Sequence, residues 1–336
     1  MRQRILVGVG MAAALLLGAV ANAQAQGVKI RVAYGALPSV ITPFLFLKTD
    51  HLKHYGRSYT VDSVYILATS VALQALAAKE IDVSYMSFSS LANAIIDGNI
   101  PMKVISDVSS WGSRGHQGPV YMVKADSPVK APADLKGKVL ATSAIGTGFH
   151  YAMTAWMRKG GLQEERDYTV VEARLPAMEA MLRDGKADLV TSLPPFLFAM
   201  EAKGGVRRLF TPEDAMGDVQ SLVNVVRTEF LAQNKAALTD FMEDYLIALK
   251  WFLDPANHKD AVEIAAKFMK QPADRLDYAF TRKDFYRDPT ATPDLAALQR
   301  NIDLMLELGV IKKKVDVKAS VDLSVLEEAK RRVGAK

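Results

Sequence analysis

One structural pattern occurs twice in this chain, and its repetition constrains the fold more than any other feature. The two copies occupy residues 76–84 and 182–190, where the sequence reads LAAKEIDVS and LRDGKADLV. Each copy predicts the end of an amphipathic helix, a tight turn, and an aspartate that leads into a short apolar strand. A strand and a glycine-containing loop precede each copy, at residues 30–35 and 138–146. The repeated pattern therefore predicts two similar α/β lobes with a ligand-binding cleft between them.

The first 25 residues have the pattern of a cleaved signal peptide. Arg2 and Arg4 precede an apolar run at residues 5–20, and small residues suited to signal peptidase follow that run. The run is short for a membrane span, so an uncleaved membrane anchor is the less favoured interpretation. The chain contains no cysteine, which excludes a lipid-attachment cysteine, thiolate metal sites and cysteine nucleophiles. We therefore expect a secreted protein that is not lipid-anchored.

Strands and helices alternate along the rest of the chain. This order predicts an α/β fold with mostly parallel sheets, each flanked by helices. We place lobe 1 at residues 27–121 and 222–336, which makes it discontinuous, and lobe 2 at residues 122–221. From residue 228 onward the pattern is mostly helical, with one long helix predicted at residues 230–252. These C-terminal helices should pack largely against lobe 1.

Ligands in open α/β sheets bind at the loops that follow the carboxyl ends of parallel strands. Because the fourth strand is predicted to end at Val108, the glycine-rich segment after it counts as one of these loops. Tyr34 and Phe196 are candidates for an aromatic wall. The same rule selects as ligand-binding candidates Gly35, Ser39, Ser87, Phe88, Ser89, Trp111, Arg114, His116, Gly146, Thr147, Gly148, Phe149, His150, Arg174 and Pro195.

Several of these candidates are suited to an anion. The segment 146–148 opens a predicted helix, and the positive end of a helix dipole stabilises an anion by about 0.3–1 kcal/mol. Arg114 can hold a carboxylate or sulfonate through two parallel hydrogen bonds, and Arg174 is a second candidate for that role. His116 and His150 can donate to an oxyanion, although His150 can equally be a buried helix residue. Each candidate also has an ordinary interpretation as a cap, a surface charge or a core side chain.

Composition excludes other ligand classes. The formal charge of +5 is mildly basic, which fits an anionic ligand, but the basic residues do not form a patch interleaved with aromatic residues. Nucleic-acid binding is therefore not expected. With five histidines, no cysteine and no clustered carboxylates, neither a metal site nor a cofactor is expected.

Six segments form a characteristic series along the chain. They are YGALPS at 34–39, ID at 81–82, ADLKGKVLA at 133–141, GTGFHY at 146–151, DGKADL at 184–189 and LPP at 193–195. Their order and spacing resemble the nitrate/sulfonate/taurine family of periplasmic substrate-binding proteins of ABC transporters. The resemblance implies a two-lobed, type II periplasmic binding protein fold and a location in the periplasm. It also implies a monomer that closes on its ligand and delivers it to a permease and an ATPase at the inner membrane.

We expect a non-enzymatic receptor for a small organic anion, such as a sulfonate, a taurine-like compound or an aromatic carboxylate. The Gly-x-Ser-x-Gly motif of a hydrolase nucleophile is missing from the sequence. One alternative is binding of a thiamine-pyrimidine precursor, or an enzyme on the same fold, because a group resembling thiamine-pyrimidine synthases shares this lobe architecture. That group carries a cysteine-rich segment, which this chain lacks. The other alternative is a secreted ligand sensor with the same cleft.

Overall fold

The computed structural model describes residues 27–98 and 100–334, so the predicted signal peptide lies outside the described residues. Within those two ranges, every helix falls short of what a membrane span requires in length or apolarity. Ten strands occur in the described chain. They are β1 (Val28–Tyr34), β2 (Tyr59–Tyr65), β3 (Val83–Ser87), β4 (Met102–Trp111), β5 (Val120–Lys124), β6 (Val139–Thr142), β7 (Thr169–Glu172), β8 (Leu189–Ser192), β9 (Val206–Phe210) and β10 (Val219–Arg227).

The strands form two five-stranded sheets with the same topology. The first sheet has the order β2-β1-β3-β10-β4, and the second has the order β7-β6-β8-β5-β9. In each sheet one strand, β10 or β5, runs antiparallel to both of its neighbours, and the other four share one direction. The predicted two-lobed α/β fold is confirmed, with sheets that are mixed because each contains one reversed strand.

Twelve α-helices flank the sheets within the described ranges. They are α1 (Thr42–Leu45), α2 (Thr69–Ala77), α3 (Phe88–Asp97), α4 (Gly148–Lys159), α5 (Met178–Arg183), α6 (Phe196–Lys203), α7 (Pro212–Met216), α8 (Thr228–Gln233), α9 (Lys235–Leu253), α10 (His258–Met269), α11 (Leu295–Glu307) and α12 (Ser324–Val333).

Two predicted element boundaries are wrong. β4 does not end at Val108 but continues to Trp111, because it stays paired with β10 as far as Val219. The predicted helix at residues 230–252 is two helices. It is interrupted at Asn234, whose backbone is not helical and whose side-chain amide donates to the carbonyl of Phe230 at 3.1 Å.

The chain changes from the first sheet to the second between residues 111 and 120, and it returns between residues 210 and 219. The lobe boundaries after residues 121 and 221 remain a prediction, a few residues beyond these changes. Phe241 and Tyr245 of α9 share a buried core with Ile30 and Val32 of β1, so this C-terminal helix packs against the first sheet as expected.

The repeated aspartate has the same backbone role in both lobes. The N–H of Asp82 donates to the carbonyl of Arg31 at 2.8 Å, and its carboxylate accepts from the N–H of Arg31 at 3.0 Å. Asp188 makes the equivalent pair of bonds with Val139, at 2.7 and 3.0 Å. Each aspartate therefore ties the start of one strand to its parallel neighbour, β3 to β1 in the first sheet and β8 to β6 in the second, which explains why the pattern occurs twice.

The turns before these aspartates differ in backbone strain, which leads to a stability prediction. Lys79 and Gly185 occupy equivalent turns with φ of +60° and +72°. A non-glycine residue in this left-handed backbone region costs roughly 1–2 kcal/mol. Replacing it with glycine removes that cost, but the larger conformational entropy that glycine loses on folding offsets about half of the benefit. Lys79→Gly should therefore raise the free energy of unfolding by about 0.5–1 kcal/mol, as measured by urea denaturation.

Gly185→Ala is the matched control and should lower stability by about 1 kcal/mol, since an added methyl group meets only the Lys124 Nζ at 3.7 Å and the cost comes from the backbone. Lys79→Gly also removes an ion pair to Glu229, but both side chains are more than half exposed and such pairs contribute little. A loss of stability in Lys79→Gly would contradict the strain argument.

Candidate ligand-binding site

A cavity of about 60 Å³ lies between the two lobes at the carboxyl ends of their strands. Polar side chains from both sheets and their loops surround it, namely Ser39, Thr69, Ser87, Ser143 and Thr147. These five residues define what we call the inner chamber. No carboxylate is among the described residues that line it. The chamber therefore presents hydroxyl and backbone groups without a negative charge.

Two helices, one from each lobe, begin at the inner chamber. Ser87 is the N-cap of α3, and its hydroxyl accepts from the N–H of Ser90 at 3.1 Å. Thr147 is the N-cap of α4, but its hydroxyl donates to the carbonyl of Ala144 at 2.8 Å instead of capping the helix. The first N–H groups of a helix have no intrahelical acceptor, and in α4 the Thr147 side chain does not supply one. Both helices direct the positive ends of their dipoles to this point, which favours an anion.

The chamber also contains a hydroxyl with no partner. The Ser39 Oγ is buried and has no hydrogen bond in the described structure. The neighbouring hydroxyls bond to one another, with 2.8 Å between Thr69 and Ser90 and 3.1 Å between Thr69 and Ser87. An unsatisfied buried hydroxyl costs about 1–3 kcal/mol, so Ser39 is a donor that a bound ligand would satisfy.

The lobes touch directly beside the chamber. The Ser89 hydroxyl of lobe 1 donates to the carbonyl of Gly146 in lobe 2 at 3.3 Å. The rings of Trp111 and Phe149 stack across the lobes, with centroids 5.1 Å apart and planes 8° from parallel. A methyl group added at Gly148 would lie 2.9 Å from the Trp111 ring, which is too close for a real contact. The chamber wall therefore depends on glycine at the start of α4.

A wider groove lies next to the chamber, in two sections of about 560 and 860 Å³. We call it the outer groove and define it by Tyr34, Tyr65, Arg174, Phe196 and Phe268. Burial raises the pKa of Tyr34. The Arg174 side chain is exposed and has no hydrogen bond or ion pair with the described residues. It is therefore a cation that is available to a ligand.

The candidates Arg114 and His116 lie elsewhere. The Arg114 guanidinium donates to the hydroxyl of Tyr286 and lies 4.6 Å from the centroid of that ring. It lines a different cavity of about 350 Å³ that also includes Asp107, whose pKa burial raises to about 7. His116 lies 3.3 Å from the carbonyl oxygen of Asp284, and burial lowers its pKa. Because β4 continues to Trp111, both residues follow the strand too late to reach the chamber.

Three other candidates, His150, Gly35 and Phe88, do not line the cleft. His150 Nδ1 accepts from the N–H of Gly146 at 3.2 Å, and its Nε2 lies 2.8 Å from Glu164, so both ring nitrogens are already engaged. Gly35 leaves room for Tyr85, because an added methyl group would lie 2.4 Å from the Tyr85 hydroxyl. Phe88 is fully buried in the core.

The remaining candidates line the cleft. Arg174 and Pro195 line the outer groove. The candidates at the inner chamber are Ser39, Ser87, Trp111, Thr147, Gly148 and Phe149. Their roles in ligand binding stay a prediction.

Sequence reasoning missed several cleft residues, among them Thr69, Ser143, Tyr65, Phe268 and Met269. Thr69 lies after β2 and is the first residue of α2. The rule that ligands bind after the carboxyl ends of parallel strands could therefore have selected it. Phe268 and Met269 belong to α10, which the sequence places among the C-terminal helices of lobe 1. Nothing in their local pattern indicates that they reach the cleft, since that depends on how α10 packs against the first sheet.

One group of described residues has metal-ligand geometry, namely His54, Asp240 and Glu243. Its carboxylates already have cationic partners, because Lys53 lies 2.8 Å from Glu243 and Arg332 lies 2.8 Å from Asp240. The group therefore works as an ion-pair network that joins α9 to α12.

Comparisons with known proteins agree with this architecture. A family model described as NMT1/THI5 like matches residues 115–257. The aliphatic sulphonate binding protein SsuA from Escherichia coli is similar in structure, with a TM-score of 0.64 and 20% identity over 88% of this chain and 92% of that chain. The nitrate-binding protein NrtA from Synechocystis PCC 6803 has a TM-score of 0.71 and 15% identity over 92% and 90% of the two chains. No curated protein matches in sequence.

The chain thus has the two-lobed fold of periplasmic substrate-binding proteins. The resemblance to the nitrate/sulfonate/taurine type is confirmed at the level of the fold. The fold also occurs in an enzyme, since the desulfurization enzyme DszB is similar with a TM-score of 0.59 and 14% identity over 91% of this chain and 99% of that chain.

Proposed function

We propose that this protein is a periplasmic solute-binding receptor that captures a small organic anion between its lobes and delivers it to an ABC importer. One observation carries the proposal. The starts of α3 and α4, one from each lobe, converge on a chamber that also contains the unpartnered hydroxyl of Ser39. Backbone N–H groups, helix dipoles and hydroxyls together favour an oxyanion such as a sulfonate or carboxylate.

The similar proteins support this ligand class, because SsuA is a sulphonate-binding protein and NrtA is a nitrate-binding protein. In this proposal the protein is a monomer in the periplasm, and a permease and an ATPase at the inner membrane receive the ligand. The chamber has no histidine among its described lining residues. The hydroxyls of Thr69 and Ser87 bond to each other, and that of Thr147 bonds to a backbone carbonyl rather than to a general base. We therefore infer binding without turnover.

A binding experiment tests the function. The mature protein is titrated with benzenesulfonate, benzoate, taurine, nitrate and a hydroxymethylpyrimidine in a calorimeter. We expect one-to-one binding of an organic anion with a Kd near micromolar, about −8 kcal/mol. Analysis of the recovered probe should show no product, since a consumed probe would favour the enzyme. Tight binding of the pyrimidine alone, or of nothing in the set, would overturn the proposal.

Ser39→Ala separates a ligand-binding hydroxyl from a structural one. Removing an unsatisfied buried hydroxyl should leave stability unchanged or raise it by about 1 kcal/mol. Loss of the bond to the ligand should weaken binding about tenfold. Thermal unfolding and calorimetry measure the two effects.

The matched control for this variant is Ser192→Ala in lobe 2. The Ser192 hydroxyl is also buried and unpartnered, but it does not line the chamber. This variant should keep the wild-type affinity. Equal affinities for Ser39→Ala and Ser192→Ala would remove Ser39 from the site.

A further inference from the structure

The sizes of the two parts of the cleft indicate what shape of ligand they fit. The inner chamber has a volume of about 60 Å³, whereas the sections of the outer groove have volumes of about 560 and 860 Å³. Sites for organic ligands are usually about 300–1,000 Å³ in volume. The chamber alone therefore fits only a head group, and the body of a larger ligand has to lie in the groove.

The chamber and the groove lie next to each other and share lining residues. Ala36, Leu67 and Leu175 line both the chamber and the first section of the groove. Leu37 and Phe196 line both sections of the groove. A ligand with its head group at the starts of α3 and α4 would therefore reach the groove by passing these shared side chains.

The groove wall is aromatic and partly exposed to solvent. Tyr34 and Tyr65 have ring centroids 5.4 Å apart, and Phe268 meets the edge of Tyr34 at 6.2 Å. Tyr65 is 58% exposed and Leu67 is 39% exposed, which are large fractions for such side chains. Aryl rings pack favourably against such surfaces in edge-on or offset arrangements. Arg174 adds an unpaired cation, which attracts an anion and can lie over an aromatic face.

We propose that the ligand is an aryl anion, with its sulfonate or carboxylate group in the inner chamber and its aromatic body in the outer groove against Tyr65 and Phe196. This inference rests on the proposed function and adds the part of the ligand that the groove recognises. Compounds that are little more than a head group, such as nitrate or methanesulfonate, leave the groove unfilled and bind weakly. Arg174 provides the positive charge of the groove wall.

The test compares ligands that share a head group and differ in the body. Methanesulfonate, benzenesulfonate and naphthalene-2-sulfonate are titrated calorimetrically into the mature protein, and acetate, benzoate and 2-naphthoate form a second series. We expect affinity to rise by about tenfold or more from the methyl to the naphthyl compound in at least one series. The series with the higher affinities identifies the head group.

Variants locate the aromatic body. Tyr65→Ala should weaken binding of the naphthyl compound about fivefold or more and leave binding of the methyl compound unchanged. Tyr65 is exposed, so its removal should not impair folding. Leu47→Ala is the matched control, because Leu47 is a 47% exposed apolar residue of lobe 1 that does not line the groove. It should change neither affinity.

The outcomes separate this inference from the proposed function. Equal affinities for the methyl and naphthyl compounds would overturn the aryl proposal while the receptor function stands. An equal effect of Tyr65→Ala on both compounds would also overturn it. Binding of no sulfonate and no carboxylate would overturn the proposed function, and this inference with it.

Discussion

Replacing Asp82 with alanine should lower the free energy of unfolding by about 3–5 kcal/mol, because the change leaves the buried guanidinium of Arg227 without its carboxylate partner. The Asp82 carboxylate is 2% exposed and accepts from Arg31 Nε at 2.8 Å, Arg31 Nη2 at 2.7 Å and Arg227 Nη2 at 3.1 Å. The Arg227 side chain is itself only 10% exposed. Urea denaturation of the mature protein measures the loss.

The repeat provides a matched control for this variant. Asp188 has the same backbone role in lobe 2, but its side chain is 38% exposed and its cationic partner Lys138 lies 3.4 Å away. Asp188→Ala should therefore cost about 1 kcal/mol, the usual contribution of a hydrogen bond. Equal losses in the two variants would show that the buried arginine pairing adds nothing to the stability of lobe 1.

The same carboxylate should make stability depend on acid pH. Burial opposes ionisation of Asp82, but hydrogen bonds from Arg31 and Arg227 outweigh it and hold the pKa below its usual value. Because the folded pKa is depressed, the contribution is present above the unfolded pKa of about 3.9 and is lost as the pH falls through the folded pKa. The difference between wild type and Asp82→Ala should therefore shrink on acidification.

Gly148→Val should reduce affinity for the bound anion by about 100-fold or more, which corresponds to about 2.7 kcal/mol. Even a methyl group at this position would lie 2.9 Å from Trp111 and 3.4 Å from Phe88, so a larger side chain displaces the chamber wall. The start of α4 would then lose its position beside the chamber. Calorimetry with the tightest anion found for the wild type measures the loss.

A second-site change tests whether crowding is the cause. Gly148→Ala should show a smaller loss, and combining it with Trp111→Phe should recover part of the affinity, because the atoms that crowd the methyl group belong to the six-membered ring of the indole. Thermal unfolding of each variant checks that the fold is intact. Wild-type affinity in Gly148→Val would place the ligand away from the start of α4.

The fold was predictable because its signals are local and occur in both lobes. The aspartates at positions 82 and 188 follow helix ends and precede apolar strands, and the structure uses both to tie neighbouring strands together. The order of helices and strands then defined two α/β lobes. The reversed strands β5 and β10 had no such signal, since their direction depends on how the chain crosses between sheets.

The site was predictable only in part. Thr147 and Gly148 line the chamber because the start of a helix after a parallel strand is a local feature of the sequence. Arg114 was a reasonable anion-binding candidate from its position in a glycine-rich loop. However, β4 stays paired with β10 for three residues longer than predicted, and Arg114 lies beside Tyr286 instead. Phe268 reaches the groove through the packing of α10, a long-range contact that the residues around it do not encode.

The pairing of β4 with β10 has a consequence for movement of the lobes. Trp111 and Val219 face each other across these strands, at the ends where the chain leaves the first sheet and returns to it. Lobe 2 is therefore an insertion at the tip of a hairpin, and its two tethers start side by side. Two adjacent tethers of this kind permit rotation about one axis. The lobes should therefore open and close by a hinge rotation about that axis, without twisting freely relative to each other.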